Sequence, residues 1–112
     1  HKVGDKVLQK FTKVLLSQVR ITDYATRYGG EEFVVILPET GHDHALELAD
    51  RLRSVVDLMK IPVESAVIST SVSIGVSSFP GHGETSASLL DAADKAMYQA
   101  KEAGRNLVQS AI

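Results

Sequence analysis

Between Arg27 and Phe33 the sequence reads Arg-Tyr-Gly-Gly-Glu-Glu-Phe, two glycines followed at once by two acids. Glycine leaves the backbone bare, so a phosphate can approach it closely, and neighbouring carboxylates attract a hard cation. In a straight strand Glu31 and Glu32 would point to opposite faces; in a hairpin turn they can converge. At about 5 Å and an effective dielectric of about 20, two carboxylates repel by roughly 3 kcal/mol, and a bound cation relieves that repulsion. Magnesium takes oxygen ligands and binds through one or two carboxylates plus substrate phosphates, so this turn suits metal-assisted phosphoryl transfer. An exposed hairpin turn with charged residues is the other reading of the same motif, which by itself leaves both open.

Other charged residues stand out less. Arg20-x-x-Asp23 lies just upstream, and an arginine and an aspartate three apart commonly form a surface ion pair of little energetic value. Asp5 opens an apolar-periodic run, where aspartate serves well as a helix N-cap. Lys101 suits charge compensation at a helix C-terminus, an explanation that says less about Arg105, beyond Gly104. His42 and His82 are read as exposed loop histidines.

The elements that must position these groups follow from periodicity. From Gly4 to about Gln18, Val7, Leu8, Phe11, Val14 and Leu15 recur as the stripe of an amphipathic helix. Tyr24 to Tyr28, a Gly-Gly turn and the apolar run Phe33–Leu37 predict a β-hairpin, its second strand central and helix-covered. Thr40 and Asp43, three apart, resemble a capping box opening a second helix through Ala45, Leu48, Ala49, Leu52, Val55 and Val56. Alternation from Ile68 to Val76 predicts one strand. A third helix carries Leu89, Leu90, Ala93, Ala96, Met97 and Ala100, Gly104 is placed to end it in a left-handed cap, and Asn106–Val108 is a short last strand. The order of helix, hairpin, helix, strand, helix, strand reads as one α/β sandwich over residues 1–112.

Composition narrows the function. The 112 residues are 44% apolar, enough for one core. With 12 basic and 14 acidic residues the net charge is −2, which gives no broad cationic field for a nucleic-acid duplex. Absence of cysteine excludes disulfides, thiolate zinc sites and a cysteine nucleophile, and fits a cytoplasmic setting. No apolar run approaches the roughly 20 residues of a membrane span.

Arg27–Phe33 resembles the signature of GGDEF-type diguanylate cyclases, in the form with glutamate at the third position. Asp94-Lys95-Ala96-Met97-Tyr98-Gln99-Ala100-Lys101 with Gly104-Arg105-Asn106 is similar to that family's closing helix, and Ser73-Ile74-Gly75-Val76 to its serine-rich strand. The resemblance implies a ferredoxin-like, nucleotide-cyclase-like sheet with flanking helices, and condensation of two GTP molecules into cyclic di-GMP. It implies that Glu31 binds magnesium (or manganese) and helps to activate the attacking hydroxyl, and that Glu32 is a second ligand or substrate contact. Gly29 and Gly30 would admit the triphosphate, Asp5 would pair with the guanine edge, and Lys101 and Arg105 would neutralise the triphosphate. Arg20 and Asp23, with Arg51 as a secondary arginine, match an inhibitory site for a cyclic di-GMP dimer.

The family's domain opens with a strand bearing a metal-binding aspartate and a helix bearing a guanine-reading asparagine, and neither occurs in this sequence. His1 matches the histidine of Gly-His-x-x-Gly-Asp, so an N-terminal third of the domain is expected upstream. The 112 residues alone are accordingly expected to be inactive. A homodimer holding two GTP molecules face to face and an upstream sensor or receiver domain are further implications. The alternative is a truncated domain acting as a cyclic di-GMP or GTP receptor.

Overall fold

The structure is a computed structural model that describes residues 2–112; His1 and its match to the family motif lie outside the described residues. Helix α1 (Lys2–Gln18) is followed by β1 (Tyr24–Arg27), β2 (Phe33–Ile36), α2 (His42–Asp57), β3 (Ile61–Val63), β4 (Ala66–Ile68), β5 (Ile74–Val76), α3 (Ser86–Glu102) and β6 (Val108–Ser110). The mixed α/β class follows as expected, with strands in three pairs: β1–β2 and β3–β4 antiparallel, β5–β6 parallel.

The apolar stripes of α1 and α2 meet in one core. Leu15, Leu52, Val56, Met59, Ile61 and Val63 are buried together, with Phe11 and Phe33 packed against them at a ring-centroid distance of 5.0 Å. Truncating such a side chain to alanine typically costs about 2–5 kcal/mol. A smaller cluster, Ala45, Ala49 and Val76, seats α2 on β5. On the other side of β5, Gly75 lets α3 approach to backbone contact. A Cβ there would lie 2.0 Å from the Ala93 carbonyl oxygen and 2.4 Å from the Met97 nitrogen.

Several expectations need correction. The strand predicted over 68–76 is interrupted, because Ala66–Ile68 pairs with β3 and Ile74–Val76 with β6. Between them residues 69–73 find no ladder partner among the described residues, and alternation alone cannot supply one. The β3–β4 hairpin was not anticipated. Its two-residue turn is Glu64-Ser65, with Glu64 at φ 50°, and it lacks the Asn-Gly or Asp-Gly pair that marks such turns in sequence. Strand β2 pairs with β1 alone among the described residues, and its other side is unpaired there.

Helix caps also differ. Thr40 and Asp43 form no capping box: α2 starts after Gly41 without a side-chain cap, and the Thr40 hydroxyl donates instead to the Pro38 carbonyl at 3.0 Å. A capping box does open α3, where Thr85 and Ser88 cap each other's backbone. Asp5 lies inside the first turn of α1 and is not its N-cap. At the end of α3, Gly104 (φ 121°) closes a Schellman turn, its N–H reaching the Lys101 carbonyl and that of Arg105 the Ala100 carbonyl. The left-handed conformation continues through Arg105 (φ 63°) and Asn106 (φ 51°), which delays the last strand to Val108.

His42 and His82 are both half-buried instead of exposed, and only His82 lies in a loop. His42 is the first residue of α2 and half-buried, with Nδ1 2.6 Å from Ser78 Oγ and Nε2 2.8 Å from Ser110 Oγ. Ser110 Oγ donates to the Ala111 carbonyl, so His42 Nε2 is the donor in its pair. His82 Nδ1 accepts from the Ser78 N–H at 2.9 Å, and the two imidazoles stand edge to face 4.8 Å apart. They tie the start of α2 to the loop after β5 and to β6.

Candidate functional site

The hairpin that carries the acids is held by its own backbone. The Tyr28 and Gly29 N–H groups donate to the Glu32 carbonyl at 2.8 and 3.4 Å, and Arg27 Nε donates to the Gly30 carbonyl at 3.0 Å. Arg27 thus clamps the turn, a role its sequence context did not reveal. The Glu31 and Glu32 side chains are exposed and make no hydrogen bond or ion pair within the described residues. Neither Gly29 nor Gly30 has a positive φ, and a Cβ on either would meet nothing within 4 Å. The fold therefore does not demand glycine here; the pair keeps the space before the turn open.

Gly30, Glu31 and Glu32 line one cleft of about 800 Å³ together with Lys101 and Arg105. The cleft lies between the unpaired side of β2 and β5, with α1, α2 and α3 contributing apolar walls. Lys101 is in the last turn of α3, and Arg105 follows the Schellman turn. Two acids and two cations from segments about 70 residues apart in sequence thus face one space. Gly29 and Asp5 are not among its lining residues, although Gly4 is.

A divalent cation fits the donor set in part. Carboxylate oxygens suit magnesium or manganese, and one or two of them with substrate phosphates make a typical site. Among the described residues no three histidine, aspartate or glutamate side chains are gathered closely enough to hold a metal by themselves. Among the described residues the turn's two acids are the carboxylates that line this cleft beside Lys101 and Arg105, apart from Asp94 on α3.

A second pocket of about 270 Å³ gathers Arg20, Asp23 and Arg51 with Thr40, His44 and Glu47. Asp23 Oδ2 accepts the Arg20 backbone N–H at 2.8 Å, and Arg20 NH2 reaches Asp23 Oδ1 at 3.1 Å and the Pro38 carbonyl at 3.2 Å. The same nitrogen donates to Thr40 Oγ1. The Asp23 side chain is only 1% exposed. Burial pushes its pKa up, but the hydrogen bonds from Arg20, backbone and side chain, and the guanidinium charge outweigh this and hold it below the usual value. Arg51 is anchored by Gln18, whose Oε1 accepts from its Nε at 2.9 Å and whose carbonyl accepts from its NH2 at 3.4 Å. Gln18 and Thr40 were not singled out as site residues, since their partners lie 33 and 20 positions away.

The fold and the cleft define an α/β domain with acids on a glycine turn and cations at a helix end. The sequence model of the family described as "Diguanylate cyclase, GGDEF domain" matches residues 1–107. Response regulator PleD of Caulobacter vibrioides is 46% identical over 110 residues, covering 96% of this chain and 24% of PleD. Diguanylate cyclase A of Treponema denticola is 42% identical over 108 residues, covering 96% of this chain and 29% of that protein. In a solved structure comprising only the GGDEF domain of YfiN (TpbB) from Pseudomonas aeruginosa, the likeness covers 100% of this chain and 66% of that one. Its TM-score is 0.93 at 35% identity. The chain belongs to the GGDEF diguanylate cyclase family.

No helix among the described residues is long and apolar enough to cross a membrane.

Proposed function

We propose that this chain is the larger part of a diguanylate cyclase domain, in which two GTP molecules are joined into cyclic di-GMP. The observation that carries this reading is the shared cleft, where Gly30, Glu31 and Glu32 face Lys101 and Arg105. Each ribose 3'-oxygen attacks the α-phosphorus of the other GTP, the bond to pyrophosphate breaks, and the hydroxyl proton is lost. Charge then grows on the leaving pyrophosphate, and two cations aimed there stabilise it. Lys101 supplies a point charge, and Arg105 a planar fork that can grip two phosphate oxygens. Glu31 and Glu32 hold the magnesium or manganese ion, which when bound offsets phosphate charge during the displacement. Glu31 further accepts the 3'-hydroxyl proton. The bare turn at Gly29 and Gly30 leaves room for the triphosphate, and Asp5 reads the guanine edge as a carboxylate acceptor.

Because each domain holds one GTP, catalysis needs two copies face to face. The unpaired side of β2 and the facing β5 leave a slot for one further strand, and the domain is completed by it, with an input domain upstream. Arg20, Asp23 and Arg51 form a product-binding pocket that restrains the enzyme, the guanidinium groups engaging phosphate or guanine while the buried Asp23 carboxylate holds Arg20 in place. The cytoplasm, where GTP is made, is the compartment that fits. The test is the full-length protein with GTP and magnesium, followed for pyrophosphate and cyclic di-GMP. Absence of both products overturns the reading.

A further inference from the structure

Arg105 stands in a backbone conformation that an arginine does not choose. Gly104, Arg105 and Asn106 have φ values of 121°, 63° and 51°, and only the first of these residues is free of the Cβ penalty. Such outliers persist where surrounding structure over-determines them, and they cluster at functional sites. The Schellman bond from the Arg105 N–H to the Ala100 carbonyl, 3.0 Å, fixes the near side of this segment. Its far side is fixed by Asn106. The Asn106 Nδ2 donates to Asp57 Oδ1 at 3.1 Å, and its Oδ1 accepts from Arg53 NH1 at 3.2 Å. Both partners are on α2, and Arg53 is itself held to Asp50 at 3.0 Å. Both polar atoms of the amide are therefore bonded to one rigid helix, while the adjacent Arg105 lines the acid-bearing cleft.

We propose that Asn106 is a positioning residue: by clamping its side-chain amide to Asp57 and Arg53 it holds Arg105 in a left-handed conformation facing the triphosphate end of the cleft. Asparagine suits the post because it tolerates this backbone region and offers a donor and an acceptor on one short side chain. The inference rests on the cyclase reading of the cleft.

The test uses the full-length protein and two readouts, the kinetics of GTP turnover and calorimetric affinity for pyrophosphate with magnesium. Asn106→Gly is the informative variant, since glycine accepts φ 51° without strain and removes only the clamp. It is expected to raise KM for GTP and weaken pyrophosphate binding by about fivefold each, the scale of a lost hydrogen-bonded anchor, and to lower kcat as well, because Arg105 faces the charge that grows on the leaving pyrophosphate. Combined with Arg105→Ala it should add nothing to the loss caused by Arg105→Ala alone, because it acts through Arg105. Asp57→Ala, on the exposed surface of α2, should move KM in the same direction by a smaller factor. Unchanged KM and pyrophosphate affinity in Asn106→Gly, or additive losses in the double variant, would overturn the clamp. A protein that binds pyrophosphate through Arg105 yet makes no cyclic di-GMP overturns the cyclase reading alone, and the clamp is then decided by pyrophosphate affinity. No pyrophosphate binding overturns both.

Discussion

The two pockets of this domain differ in what holds their charged side chains. In the smaller one Arg20 is fixed by Asp23, Pro38 and Thr40, and Arg51 by Gln18. In the larger one the side chains of Glu31, Glu32, Lys101 and Arg105 have no hydrogen-bond or ion-pair partner among the described residues. A preset pocket loses little conformational freedom when its ligand arrives, whereas free side chains must be ordered by what enters. The Arg20–Asp23 pocket is thus a property of the folded chain, whereas the acid–cation cleft leaves its charged side chains to be ordered by what enters.

That contrast can be broken most directly at Glu31. Glu31→Gln in the full-length protein is expected to lower GTP turnover by about a hundredfold or more, the scale of losing a key electrostatic group in the transition state. Because Glu31 is exposed and unbonded, its melting temperature should stay within about 2 °C of the parent. Pyrophosphate release and a thermal melt read the two effects, and near-normal turnover would remove the metal role.

Arg20→Ala should have its effect elsewhere. Cyclic di-GMP affinity is expected to fall by about tenfold or more, as a charge-assisted contact is lost, while the initial rate before product accumulates stays unchanged. Calorimetry with cyclic di-GMP that shows equal affinity would reduce the pair to a surface ion pair. Gln18→Met keeps the side-chain volume and deletes one acceptor of Arg51. A loss of about threefold in product affinity is expected, since the Gln18 carbonyl still holds Arg51 at 3.4 Å. No loss would show that Arg51 needs no presetting.

The smallest effect concerns acid. Asp23 is held below its ordinary value, so its ionised form stabilises the fold at any pH above the unfolded carboxylate value of about 3.9. That contribution disappears as pH falls through the lower folded value. Melting temperatures taken from about pH 5 down to about pH 2 should drop more steeply for the parent than for Asp23→Asn, which has no charge to lose. Parallel curves would mean that Arg20 does not favour the ionised carboxylate.

How far the sequence reaches follows the same division. Helices with strong apolar stripes, α1 and α3, were legible nearly to their ends, because the pattern that buries them is local. The strand through 69–73 was misread, because alternation reports a pleat and not the partner that completes it. The acids of the turn stand out by type and spacing, and Lys101 and Arg105 by family resemblance, and all four line one cleft. The bonds to Arg51, Arg20 and α2 made by Gln18, Thr40 and Asn106 were not legible, as each joins a partner at least 20 positions away. Nor was the His42–Ser78–Ser110 link, whose members are 36 and 68 positions apart.

The contact at Gly75 makes α3 a lever. Its fulcrum is where Ala93 and Met97 rest on the bare backbone of β5. Lys101, eight residues past Ala93 and in the last turn of the helix, rides near the far end of the arm. At a rise of 1.5 Å per residue the arm is about 12 Å long, so a tilt of about 5° at the fulcrum swings Lys101 by about 1 Å. A displacement of that size can cost about a hundredfold in rate when it misaligns a reacting group. The missing side chain at position 75 thus sets the aim of a cation about two turns away, and a methyl group there would work as a misadjusted sight.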